Sequence, residues 1–80
     1  MRIIFYTTIG CHLCEHVPPM LQLMARQTAL TIDVIDIASD DSLVERYGQE
    51  IPVLYRPDID MDIAWPFSID DVHAFLLYHD

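Results

Sequence analysis

The feature that most constrains this chain is the run Thr7-Thr8-Ile9-Gly10-Cys11-His12-Leu13-Cys14, which holds both of its cysteines in a C-x-x-C spacing. It follows directly on the apolar run Ile3-Ile4-Phe5-Tyr6 and precedes a stretch with helical periodicity. Strand, short loop and two thiols at the mouth of a helix therefore come in that order. A helix start offers unpaired backbone N–H groups and the positive end of the macrodipole, and both favour thiolate over thiol. Cys11 is placed to be the more acidic of the pair. Once Cys11 has attacked a disulfide, Cys14 can reach the mixed disulfide and release it, so the spacing suits exchange chemistry.

Eighty residues allow one small domain, spanning 1–80. At 52% hydrophobic with two glycines, the composition argues for a packed globule. Thirteen acidic residues stand against four cations, for a formal net charge of -9. Phosphate binding runs on clustered cations, so nucleic acid is excluded as an expected partner, and an anionic membrane surface with it. No apolar run approaches the ~20 residues of a membrane span, and Ile3 to Tyr6 is too short for the core of a signal peptide. A cytoplasmic location is the resulting expectation. In a reducing compartment, paired cysteines read as catalytic or metal-binding before they read as a structural staple.

The periodicity predicts the order β-α-β-α-β-β-α. Residues 2–6 read as a central strand buried on both faces. Leu13, Val17, Met20, Leu21 and Met24 build one helical stripe that ends near Ala29. Pro18 and Pro19 interrupt it, predicting either a kink or a short first turn followed by a second helix, with carbonyls near Cys14 and Glu15 left without helical partners. Thr31 to Ile37 is β-branched but carries Asp33 and Asp36, which suits an edge strand. Ser39-Asp40-Asp41 opens a short helix that turns Leu43, Val44 and Tyr47 inward and stops at Gly48. Ile51 to Tyr55 and Met61 to Trp65 form a hairpin about the turn at Pro57-Asp58. Ser68 caps a last helix whose buried face is Val72, Phe75 and Leu76.

With that element order, Phe5 to Cys14 and Glu50-Ile51-Pro52-Val53-Leu54 make the chain resemble the glutaredoxin branch of the thioredoxin-fold proteins, and more narrowly the short bacterial glutaredoxin-like proteins. The resemblance implies an α/β thioredoxin-like fold with a four-stranded mixed sheet flanked by helices. It implies thiol-disulfide oxidoreductase activity, with Cys11 as nucleophile and Cys14 as resolving thiol. It also implies a cis bond before Pro52, which would lie beside the sulfurs while the backbone of Ile51 pairs with an extended substrate. Protein or glutathione disulfides are the implied partners, with no cofactor beyond glutathione as a co-substrate.

The chain departs from the family pattern at several of these places. Thr8 stands at a substrate-facing position that usually carries Lys or Arg. His12-Leu13 replaces the usual Pro-Tyr, and Ala64-Trp65-Pro66 stands near where the segment that receives the γ-glutamyl end of glutathione would be.

His12 is a third candidate catalytic residue, because a protonated imidazole beside the nucleophile pairs with its thiolate. Nearby carboxylates, Glu15 among them, work against a second anion. The alternative class is zinc binding by Cys11, His12, Cys14 and His16, with His73 and His79 read as surface residues of the last helix. Against it, His12 and Cys14 should point to different sides of one helix start, and no metal is expected. A second alternative is a thioredoxin-fold protein that docks partners without turnover. Trp65, Phe67 and Tyr78 read as core and rim packing. The sequence sets no oligomeric state.

Overall fold

The opening apolar run becomes β1 (Arg2–Thr7), and Ile3 to Tyr6 are all buried. Side chains alternate across a strand, so Ile3 and Phe5 enter one core layer and Ile4 and Tyr6 the other. Buried backbone groups must also pair on both edges. In this computed structural model, which describes residues 1–78, β1 pairs in parallel with β2 (Thr31–Asp36) and antiparallel with β3 (Val53–Arg56). β4 (Met61–Ala64) completes the order β2-β1-β3-β4, with β2 on an edge as its two aspartates predict. The hairpin strands are shorter than expected: β3 begins at Val53 and takes in Arg56, and β4 ends at Ala64.

The parallel pair needs a crossover, and α1 (Val17–Ala25) supplies it. A separate 3-10 turn, Leu13–His16, precedes α1, which realises the second of the two outcomes expected of the proline pair. Pro18 and Pro19 then fall in the first turn of α1, where backbone N–H groups have no intrahelical partner to lose. The Cys14 carbonyl is not orphaned as expected, since it accepts the Val17 N–H. The helix also stops short of Ala29. The N–H groups of Gln27 and Thr28 both turn back to the Met24 carbonyl at 3.0 Å, and the Met1 ammonium takes the Ala29 carbonyl at 2.9 Å.

A short 3-10 turn, Ile37–Ser39, leads to α2 (Asp41–Tyr47), capped by Asp40, whose Oδ1 accepts the Ser42 N–H at 2.8 Å. Tyr47 is buried and stacks on Tyr6, and Leu43 lies on the same face. Val44 does not turn inward as predicted and is 45% exposed. Residues 43 and 47 share a face at i, i+4, and Tyr47 already fills the small cluster around Ile4 and Val53. α3 (Ile69–Leu77) opens with a capping box between Ser68 and Asp71 (2.8 and 3.1 Å) and buries Val72, Phe75 and Leu76 as predicted. Tyr78 is 45% exposed at the rim beside Met61, Ile63 and Phe75, and His79 lies outside the described residues.

Arg56, only 2% exposed, ties the hairpin to α3. Its Nη1 donates to the carbonyls of Phe75 (2.9 Å) and Tyr78 (2.8 Å), while Nε and Nη2 fork onto Asp58 (3.1 and 2.6 Å). Helix C-termini carry unpartnered carbonyls and partial negative charge, and a guanidinium answers both. The same fork holds the Asp58 carboxyl below its ordinary value, and the hydrogen bonds from Ser42 do so for Asp40.

A lowered folded-state value means stability that is present in full above the unfolded value of about 3.9 and lost as pH falls through the folded one. Urea midpoints of wild type and Asp58→Asn are therefore expected to differ near pH 6 and to converge toward pH 2. Curves that stayed parallel over that range would remove Asp58 from the acid limb.

Candidate active site

Register places three loops at one end of the sheet. Tyr6 pairs with Val53 and Val53 with Ala64, so the exit from β1, the entry to β3 and the exit from β4 lie side by side. The first of these loops reverses at Gly10, whose φ of +83° is a conformation that side chains with a Cβ rarely adopt. The Thr8 carbonyl accepts the Cys11 N–H across that turn at 3.3 Å. Thr8 itself is half-exposed.

Cys11 and Cys14 are joined in a disulfide, with their Cα atoms 5.3 Å apart. The two sulfurs are not equivalent. Cys14 is 6% exposed and belongs to the core layer shared by α1, α3 and one sheet face, whereas Cys11 is half-buried at its margin. The Cys14 N–H donates to the Cys11 Sγ at 3.2 Å. A hydrogen bond to the charged form favours it, so this amide is set to stabilise a thiolate at Cys11 when the bond is open. Cys11 is the sulfur more open to solvent.

The Ile51–Pro52 bond is cis, in line with the resemblance. Pro52 is fully buried, and its carbonyl accepts the Trp65 N–H at 3.0 Å. Ile51 is half-buried against both core layers, as Cys11 is against one of them. The Ile51 N–H donates to the Tyr47 carbonyl at 3.1 Å, which leaves its amide already partnered within the chain. His12 is exposed and makes no capping hydrogen bond.

Three features escaped the sequence. The Trp65–Pro66 bond is also cis. The Trp65 ring stacks on His16 (centroids 5.4 Å, planes 14° apart) and meets Phe67 edge-on at 5.2 Å, which ties the turn carrying Cys14 to the exit from β4. Phe67 is buried and Trp65 half-buried, consistent with packing roles. Ile9 and Leu13, on either side of Cys11, are 92% and 45% exposed. Ile9 signals itself in the sequence only as an apolar side chain in a loop, whereas Leu13 does not join the buried stripe of α1 as its spacing predicts, because the separate 3-10 turn that opens at Leu13 breaks the helical phase before Val17.

Among the described residues, no three His, Cys, Asp or Glu side chains gather as a metal ion would require. No described helix is long and apolar enough to cross a membrane.

Comparison with known proteins gives the following. The model of the family described as Glutaredoxin-like domain (DUF836) matches residues 2–77. The chain is similar to the X-ray structure of target protein XcR50 from X. campestris, at 31% identity and a TM-score of 0.78, covering 92% of this chain and 93% of that one. It is similar to protein Ne2328 from Nitrosomonas europaea, at 25% identity and a TM-score of 0.78, covering 92% and 88%. Thioredoxin 1 from Thermosipho africanus TCF52B is 23% identical with a TM-score of 0.66 over 95% and 94%, a likeness that shows a thioredoxin-like fold. No curated protein matches the chain.

Proposed function

Because the chain belongs to the glutaredoxin-like domain family (DUF836), we propose that it is a thiol-disulfide oxidoreductase working through Cys11 and Cys14. The observation that carries the reading is the unequal disulfide: an outer sulfur at Cys11 that accepts a backbone amide, and an inner one at Cys14 held in the core. In the reduced protein, the Cys11 thiolate attacks one sulfur of a substrate disulfide and expels the other as a thiolate. Cys14, losing its proton, then attacks the Cys11 sulfur and releases the second substrate thiol. Two electrons pass from the dithiol to the substrate, and the protein is left oxidised. A dithiol or glutathione resets it. No cofactor takes part.

Thr8 and the Ile51–Pro52 backbone border the sulfurs as the substrate-facing surface, with the Ile51 carbonyl as the acceptor for an extended segment. Protonated His12 supports the Cys11 thiolate. A cytoplasmic setting, where thiols are kept reduced, suits this cycle.

The test is a redox titration in graded reduced and oxidised glutathione, quenched with acid, alkylated and read by mass. A reversible two-thiol transition is expected, and Cys14→Ser should trap Cys11 as a mixed disulfide. The midpoint separates a reductant near the thioredoxin value of about -270 mV from an oxidant nearer -120 mV. Loss of a group that stabilises the thiolate makes the disulfide harder to reduce, so His12→Ala should move the midpoint to a lower potential, and an unmoved midpoint takes His12 out of the mechanism. Thiols that stayed reduced and unreactive, in a protein purified with zinc protecting them, would replace this reading with a metal site.

A further inference from the structure

Charge is distributed along this molecule by strand direction. β1 and β2 run toward the disulfide, so residues at their starts lie at the far end. Arg2 opens β1, roughly 17 Å from Thr7 at 3.3 Å per residue, and pairs there with Asp33 at 2.7 Å. β3 runs the other way, and Arg56 closes it, buried against α3. Arg26 caps the far end of α1, roughly 20 Å along the helical run from Cys14. Arg46 is the exception: it precedes Tyr47, whose carbonyl accepts the Ile51 N–H, so it flanks the loop into β3, where its guanidinium lies over the Tyr47 ring at 5.1 Å and 4.0 Å from Asp62. The chain has no lysine, so these four residues are its full complement of strong bases.

At the disulfide end carboxylates outnumber the one guanidinium, that of Arg46. Glu15 follows Cys14, Asp36 ends β2 in register with Thr7, Glu50 precedes Ile51, and Asp70 and Asp71 lie in the first turn of α3. None of the three converging loops carries Lys or Arg. Ile9 and Leu13 stand exposed beside Cys11 within this anionic setting.

We propose that the disulfide end selects its substrates by charge: it docks a disulfide held in a basic polypeptide segment, through the apolar contacts of Ile9 and Leu13 and the field of the surrounding carboxylates, and it disfavours anionic disulfides. The inference rests on the exchange reading above. The net charge of -9 acts at long range, and the local carboxylates act at contact. The field raises the local concentration of a cationic disulfide at Cys11 and lowers that of an anionic one. It also opposes accumulation of negative charge as Cys11 becomes a thiolate, and a cationic substrate relieves that cost on docking.

The experiment uses the reduced full chain at pH 8, where an ordinary histidine is uncharged. Its probes are three peptides of equal length, each with one internal disulfide flanked by lysines, serines or glutamates. Each second-order rate constant is divided by that for dithiothreitol, a neutral dithiol, to remove the peptides' own reactivity.

At low salt the lysine peptide should be favoured over the glutamate peptide by tenfold or more, on the order of what electrostatic steering supplies. The preference should shrink severalfold as salt is raised to the point where the screening length is a few ångströms. Glu15→Gln combined with Glu50→Gln should narrow it at low salt. Equal normalised rates for the lysine and glutamate peptides, or a preference indifferent to salt, would overturn the charge inference while leaving exchange intact. Failure to reduce the serine peptide at all would overturn the exchange reading and this one with it.

Discussion

Cys11→Ser is expected to abolish disulfide reduction, with a loss on the order of a thousandfold or more, because nothing else at the site can begin the reaction. Cys14 is buried in the core and cannot meet a substrate disulfide without displacing Cys11 or opening the layer beneath it. Serine keeps the loop, the Gly10 reversal and the hydrogen-bonding geometry, so the fold should survive. The check is the rate of reduction of a peptide disulfide, alongside an unfolding curve of the variant. Cys14→Ser should differ in kind: its first step persists and the product remains attached to Cys11. A Cys11→Ser protein that retained a tenth of the wild-type rate would make Cys14 a competent nucleophile and contradict the asymmetry on which the reading stands.

Arg56→Met should be strongly damaging although remote from the sulfurs, lowering stability by about 2–4 kcal/mol. The methionine stem fills much of the same channel but donates nothing. The carbonyls of Phe75 and Tyr78 lose their partner, and Asp58 loses the cation that holds its carboxylate. For a domain of this size the loss corresponds to a melting temperature lower by roughly 10–25 °C. Arg56→Lys should recover only part, since an ammonium cannot fork onto Asp58 while also reaching the helix end. Guanidinium chloride unfolding of the three proteins measures the series, and a lysine variant as stable as wild type would show that charge alone, without the planar fork, suffices.

What the sequence made legible was what short-range physics decides. Four consecutive apolar residues bounded by polar ones read as an interior strand, two aspartates marked β2 as an edge, and Ser68 marked a helix start. The cysteines sit at a strand-to-helix junction because those same local rules place a helical run after β1. Proline chemistry gave two outcomes for α1, and the structure adopts one of them.

What stayed hidden depends on partners far along the chain. Arg56 follows a tyrosine and precedes a turn, a position that reads as the solvated end of a hairpin strand, and only the arrival of α3 19 residues later makes it a buried anchor. His16 finds Trp65 across the site by the same kind of accident of tertiary approach. Val44 fits a helical stripe, yet the layer it would enter is too small to hold it once Tyr47 has stacked on Tyr6. The early end of α1 is set where the Gln27 and Thr28 N–H groups both close on the Met24 carbonyl and the amino terminus donates to the Ala29 carbonyl, which composition does not encode.

The placement of Cys14 inside the core layer joins two equilibria that are usually considered apart. Oxidised and reduced protein, folded and unfolded, form a closed thermodynamic square, so the gain in folding free energy on oxidation equals the amount by which folding shifts the dithiol's reduction potential. At about 30 mV per 1.4 kcal/mol, a change in packing that the two redox forms feel differently is also a change in electron affinity. Val17 and Leu21, buried in the same layer as Cys14, would then be part of what sets the voltage of the proposed exchange.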